Sequence, residues 1–199
     1  MKGGLQMDAT RLMEIISLAQ RLKDTTRHCY TAGGRRESVA EHCWRSALMA
    51  YFLKDEFPEA NMDKVILMCL IHDLGEAFTG DIPAFHKTDA DEKTEDDLLA
   101  RWVSSLPDPF SSEMAALYRE MNERKSVEAR IYKAIDGLEA VIQHNESDID
   151  TWLPVEYDMN LTYADDKVAF SPYLRSLREA IRQDTKKKIQ EGPSSIDTP

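Results

Sequence analysis

Residues 65–71 read Val-Ile-Leu-Met-Cys-Leu-Ile, seven apolar side chains in a row, and His72 and Asp73 follow directly. A helix that is apolar all round belongs in the centre of a fold, packed by other helices. A carboxylate at the end of such a helix is costly unless an opposite charge or a metal ion compensates it. A histidine near the helix dipole beside a turn-capping aspartate is the plainer reading, and a His-Asp dipeptide alone discriminates little between the two.

Helical spacing dominates the rest of the chain, with glycine and proline sparse and few segments alternating apolar with polar. The spacing predicts a helix over 8–23, then a loop through CYTAGGRRE. A second helix starts at Ser38, where Ser38 and Glu41 form a capping box, and runs to about Phe57, before Pro58. The third runs from about Met62 to Gly75, read as a C-terminal glycine. After the loop GDIPAFHK, acidic residues in DADEKTEDD open a fourth helix that ends near SSLPDP. Further helices cover about 111–123, 127–144 and 172–189. The segment 145–169 is acidic and shows no usable period. The expected organisation is one all-α domain over residues 1–192, followed by a disordered tail at 193–199.

The formal net charge of -11 argues against non-specific binding to nucleic acid or to an anionic membrane, both of which need a basic surface. It leaves room for a small anionic substrate in a locally basic pocket. No stretch approaches the length of a membrane span, and MKGGLQMDAT lacks the apolar core of a signal peptide. Three cysteines, Cys29, Cys43 and Cys69, form no CxxC pair, so a reduced cytoplasmic protein is expected.

His42 shares a helical face with Val39, Ser46, Met49 and Leu53, which points it inward. Taken alone it reads as a core histidine with one hydrogen bond. Asp136 sits mid-helix, a poor place for aspartate, and taken alone reads as the ion-pair partner of Lys133. Together, His42, His72, Asp73 and Asp136 supply two imidazoles and two carboxylates from three helices. That set can surround one divalent ion, and its mixed nitrogen and oxygen donors suit Mn, Fe, Co, Ni or Zn better than Ca.

The pattern H…HD…D resembles the signature of the HD-domain metal-dependent phosphohydrolases. RESVAEH, IHDLGEAFTGDIP and YKAIDGLEA are similar to the 5'-deoxynucleotidase branch of that family, over roughly residues 15–180. The resemblance implies an all-α HD-domain helical bundle, often a homodimer. The implied activity is removal of phosphate from (deoxy)nucleoside 5'-monophosphates by a metal-activated water. It also implies a single divalent ion (Co, Mn, Fe, Ni or Zn, with Mg admissible) on His42, His72, Asp73 and Asp136. By position, Glu76 would orient or deprotonate the water, Arg27 would orient the phosphate, and Asp81 would assist the sugar or the leaving group. Asp81, Ile82, Pro83 and Ala84 would wall the nucleoside, and Asp73 and Asp136 would also face the substrate. His28 stands where some relatives carry tryptophan, which leaves deoxyribose against ribose open.

Glu76 as a solvated helix-end charge and Arg27 in a surface salt bridge are the competing readings of those two residues. His86 and Lys87, and Arg35 and Arg36 beside Gly33-Gly34, are weaker anion-binding candidates, and His144 reads as a helix-end residue. Rival functions are an HD phosphodiesterase or a nucleoside polyphosphate hydrolase, and a non-catalytic helical module with a structural metal. Two-iron HD oxygenases rank low, because only five histidines are present.

Overall fold

The computed structural model describes residues 7–192. The tail at 193–199, expected to be disordered, lies outside the described residues. Helix α1 (Ala9–Arg21) is capped by Asp8, whose side chain accepts from the Arg11 amide. Strands β1 (Thr26–Tyr30) and β2 (Arg36–Ser38) follow as an antiparallel hairpin, where the sequence pattern predicts a loop. The hairpin is short and its inward face is polar, with Arg27 and Glu37 paired on it, so it lacks the apolar alternation that announces a strand.

Helix α2 (Val39–Phe52) begins at the predicted capping box, with both Ser38–Glu41 bonds present. It stops five residues short of the expected end, and a single 3₁₀ turn at Lys54–Glu56 completes that stretch. Helix α3 (Met62–Ile71) also ends early. Tight right-handed turns carry the chain from Ile71 into α4 (Glu76–Thr79). Gly75 therefore has φ -59°, not the left-handed conformation of a C-terminal glycine. Its reason is space: a Cβ there would stand 2.6 Å from Glu95 Cγ on the helix that crosses it.

Helices α5 (Asp89–Ser104), α6 (Phe110–Glu123) and α7 (Val127–Glu146) match the predicted order. The unassigned segment contains a 3₁₀ turn (Ile149–Thr151), α8 (Pro154–Thr162) and α9 (Asp165–Val168), and α10 (Pro172–Glu191) closes the fold.

Helix α7 is the central strut, touching α2, α3, α6, α9, α10 and β1. Its Ile131, Ile135 and Leu138 are fully buried against Val65, Met68 and Cys69 of α3. Each such side chain contributes roughly 1.5–3 kcal/mol of transfer free energy. The expectation that α3 is buried all round holds for one face only, since Leu67 and Leu70 on the other are 47% and 45% exposed. No helix among the described residues is long and apolar enough to cross a membrane.

Candidate metal centre and substrate cleft

The packing of α2, α3 and α7 brings the four expected side chains to one point. His42 lies in the first turn of α2, His72 and Asp73 at the C-terminal end of α3, and Asp136 in the middle of α7. His42 Nε2 stands 3.2 Å from His72 Nε2, 3.2 Å from Asp136 Oδ1 and 3.7 Å from Asp73 Oδ2. His72 Nε2 stands 3.1 Å from Asp73 Oδ2 and 3.6 Å from Asp136 Oδ1. Donor atoms about 2.1 Å from a shared ion, at bond angles of roughly 90–110°, would stand about 3.0–3.4 Å apart. The observed separations cluster around that range.

The far side of each imidazole is already engaged. His72 Nδ1 lies 2.9 Å from the Cys69 carbonyl, which only accepts, so Nδ1 carries a proton and Nε2 is the ring nitrogen turned to the centre, where burial is outweighed by the neighbouring carboxylates, which raise the imidazole's pKa as long as no cation is present. His42 Nδ1 is hydrogen-bonded to Glu139 Oε2, which orients that ring in the same way. Cys43 Sγ approaches the Nδ1 side of His72 at 3.8 Å, away from the shared point. The donor chemistry therefore fits a divalent transition ion. Asp136 satisfies both of its readings at once: Oδ1 faces the histidines, while Oδ2 accepts from Lys133 Nζ at 2.7 Å.

Burial opposes ionisation of Asp73, but His72 beside it and His42 beyond outweigh burial and hold the carboxyl down to about 2. At Asp136, burial is likewise outweighed, by Lys133 and the two imidazoles, and the carboxyl falls well below the ordinary range. Glu76 behaves oppositely. Burial, then the charges of Asp73, Asp81 and Glu95, push it up to about 10. It is only 6% exposed, and its Oε2 has no hydrogen-bond partner among the described residues. Burial also raises Asp81. Glu76 is therefore not the solvated helix-end charge of its plainer reading.

These groups border a cleft of about 330 Å³ with Arg27, His28, His42, Asp73, Asp136 and the Asp81–Ala84 loop in its walls. Gly80, at φ +80°, turns the chain from α4 into that loop, a conformation that favours glycine. Arg27 Nη1 pairs with Glu37 at 2.7 Å and reaches Glu139 at 3.4 Å, so Arg27 is part of a buried network. Its Nε and Nη2 meet no protein acceptor among the described residues. His28 Nε2 is 2.7 Å from Glu156 Oε1, and its ring stands edge-on to Phe85 and tilted against His144. His144, read from sequence as a helix-end residue, is buried in this wall, and burial brings it down to about 4. Lys87 also lines the cleft, bonded to Glu95 at 2.7 Å. Arg35 is taken up by Glu41 outside the cleft.

The sequence reading assigned no role to Glu139, Arg45 or Glu156. Arg45 Nε donates to Glu139 Oε1 at 2.6 Å and so fixes the carboxylate that orients His42. One signal was present: Glu139 is three residues after Asp136, and Arg45 three after His42, on the same helical faces.

An HD domain family model matches residues 19–178. The chain belongs to the HD-domain family. It is 30% identical to human 5'-deoxynucleotidase HDDC2 over 142 residues, which is 69% of each chain. It is 28% identical to 5'-deoxynucleotidase YBR242W of Saccharomyces cerevisiae over 141 residues, 66% of this chain and 58% of that protein. A crystal structure of a predicted metal-dependent phosphohydrolase from Magnetospirillum magnetotacticum MS-1 superposes with a TM-score of 0.76 at 26% identity, covering 94% of this chain and all of the other. The HD phosphohydrolase DatZ of cyanophage S-2L, solved with dA and one catalytic Zn2+ ion, shares the fold at a TM-score of 0.56 and 20% identity, covering 94% of this chain and 99% of that one.

Proposed function

We propose that this HD-domain protein is a metal-dependent phosphohydrolase that converts deoxynucleoside 5'-monophosphates to nucleosides and orthophosphate. The observation that carries the reading is the approach of His42, His72, Asp73 and Asp136 to one another beside a cleft, lined by His42, Asp73 and Asp136, that also holds Arg27 and two carboxyls with raised pKa. Relatives named as 5'-deoxynucleotidases support the substrate class. A divalent ion of the Mn, Fe, Co, Ni or Zn type, held by these four side chains, supplies a Lewis acid for a phosphoryl oxygen and lowers the pKa of water.

The chain's own groups do the rest. The free edge of the Arg27 guanidinium takes phosphate oxygens, a task its planar fork suits. Glu76 aligns the attacking water through its unpartnered Oε2 and is placed to accept its proton; a divalent ion on the four side chains would lower the pKa of this carboxyl. Asp81, raised by burial, hands a proton to the departing O5'. Asp81, Ile82, Pro83 and Ala84 hold the nucleoside, with His28, fixed by Glu156, on the facing wall. The free, buried cysteines suit a reducing cytoplasm. Trp44, Leu48, Tyr51 and Phe52 form an exposed apolar stripe along α2, the face on which a homodimer would bury itself.

The test is a phosphate-release screen of dAMP, dGMP, dCMP, dTMP and their ribose counterparts against Mn, Co, Mg and Zn. Release from the deoxynucleotides with at least one of these ions is expected. No release from any substrate with any of them overturns the reading.

A further inference from the structure

A second group of donor atoms lies further along α7. Asp136, Ala140 and His144 all line the cleft, four residues apart and so on one helical face. His144 Nε2 lies 3.6 Å from Glu156 Oε1 on α8, and His28 Nε2, on strand β1, lies 2.7 Å from the same oxygen. The three ligand atoms all stand within 4.8 Å of one another. Two imidazoles from separate elements thus face one arm of a single buried carboxylate. The other arm is engaged: Glu156 Oε2 accepts from the Leu153 amide at 2.6 Å, which fixes the carboxylate at the start of α8.

Among the described residues no lysine or arginine pairs with Glu156, so the two imidazoles alone face its charge. A buried carboxylate needs a positive partner, and a divalent cation supplies one outright. Aromatic rings enclose the group. Phe85 stands edge-on to His28 with the centroids 5.4 Å apart, and Trp152 edge-on to His144 at 6.0 Å. An apolar shell of this kind limits the access of water to a charged centre. The rise of α7 sets His144 about 12 Å from Asp136. Ions of a two-metal centre stand roughly 3.5–4 Å apart. An ion on His28, His144 and Glu156 therefore shares no ligand with one on the first centre.

We propose that His28, His144 and Glu156 form a second cation site, selective for zinc-like ions, that ties β1, α7 and α8 together in the cleft wall. Two imidazoles and a glutamate are a three-ligand zinc set, which leaves the fourth tetrahedral position for water or for a donor atom in the cleft. Ligand atoms about 2.1 Å from a tetrahedral ion stand about 3.4 Å apart. The His144–Glu156 separation of 3.6 Å already fits. The His28–Glu156 hydrogen bond opens by less than about 1 Å as the ion takes the place of the bridging proton. His28 has room for that shift, being half-buried on a short hairpin. Each ring binds as the neutral imidazole with its proton on Nδ1, and nothing is oxidised or reduced. The site requires nothing of the reaction proposed for the first centre.

Zinc counting on protein stripped with EDTA and dialysed, by competition with a metallochromic indicator, reads the site without turnover. The native chain is expected to bind two zinc ions, and Glu156→Gln and His144→Asn one each. Glutamine keeps an acceptor for the Leu153 amide, and circular dichroism checks that the helices persist. His28→Ala removes a ligand from the half-buried hairpin, outside the helical core, and is expected to cost the same ion. His72→Ala/Asp73→Ala is expected to keep one ion. Cobalt in that variant is expected to show the strong visible absorption of tetrahedral cobalt, lost when Glu156→Gln is added. His86 is exposed and outside the cluster, so His86→Asn keeps two ions. Manganese, at the weak end of the divalent series, is expected to fill the first centre alone. A native zinc count of one overturns the proposal. So does a second ion retained in all three cluster variants, lost in His86→Asn, or bound equally by manganese.

Discussion

Glu139 is hydrogen-bonded to His42 through the imidazole Nδ1, which leaves Nε2 pointing at Asp136 and His72. The carboxylate is fully buried and is held in turn by Arg45 and Arg27. Glu139 thus ties the arginine proposed for phosphate to the histidine proposed for metal.

Replacement of Glu139 by glutamine keeps an oxygen for the His42 N–H but removes the charge. Carboxylates behind a metal-binding histidine commonly account for about 10–100-fold in metal affinity. We expect Glu139→Gln to weaken Mn or Co binding by about tenfold or more, measured by competition with a metallochromic indicator. Unchanged affinity would mean that the Glu139–His42 bond serves packing alone.

His72→Ala and Asp73→Ala are expected to lower phosphate release below detection while circular dichroism still reports a helical fold. Both residues sit at the end of α3, outside the fully buried packing of Val65, Met68 and Cys69 that holds the helix in place. Loss of helix in parallel with activity would show that the centre is needed for folding.

Glu76 links function to stability with a definite sign. Its carboxyl is pushed to about 10 in the fold, by burial and by Asp73, Asp81 and Glu95, against about 4.3 in an unfolded chain. Between those values the folded state binds more protons, so stability falls as pH rises through the window. Glu76→Gln is neutral throughout. In the presence of EDTA at pH 8 it is expected to unfold later than the native protein, by on the order of 1 kcal/mol or more in urea titrations. Its phosphate release is expected to be at least about 100-fold slower. A variant no more stable than the native chain would contradict the buried, unpartnered environment of this carboxyl.

His144 gives the opposite slope. Burial holds its ring to about 4, against about 6.5 when unfolded. In that window the unfolded chain binds more protons, so this contribution is complete above pH 6.5 and is lost as pH falls toward 4. The loss is on the order of 2–3 kcal/mol. Urea midpoints between pH 4 and 7 are expected to vary less in His144→Asn than in the native chain, and equal slopes would refute the assignment.

Much of the centre was legible because its residues break local rules. A carboxylate after seven apolar residues and an aspartate in mid-helix both ask for compensation, and the structure supplies it at one point. The surrounding groups were harder to read. A glutamate on a helix is ordinary, and Glu139 matters only because α2 packs on α7. His144 is the helix-end residue it reads as, in the last turn of α7, but its burial was hidden because α8 and Trp152, which cover it, lie in a segment with no clear period. The hairpin was hidden by its polar inner face. The outer face of α3 shows the limit of the argument from apolar composition, which says that surface must be covered but not by what.

The central claim is one shared cation on His42, His72, Asp73 and Asp136, and titration of activity with metal tests it most directly. Protein stripped with EDTA, then given Mn in steps, should regain dAMP hydrolysis in proportion and saturate near one ion per chain, whereas Asp136→Asn should stay inactive throughout. Full turnover by the stripped protein, or by Asp136→Asn at the same metal concentration, would contradict it.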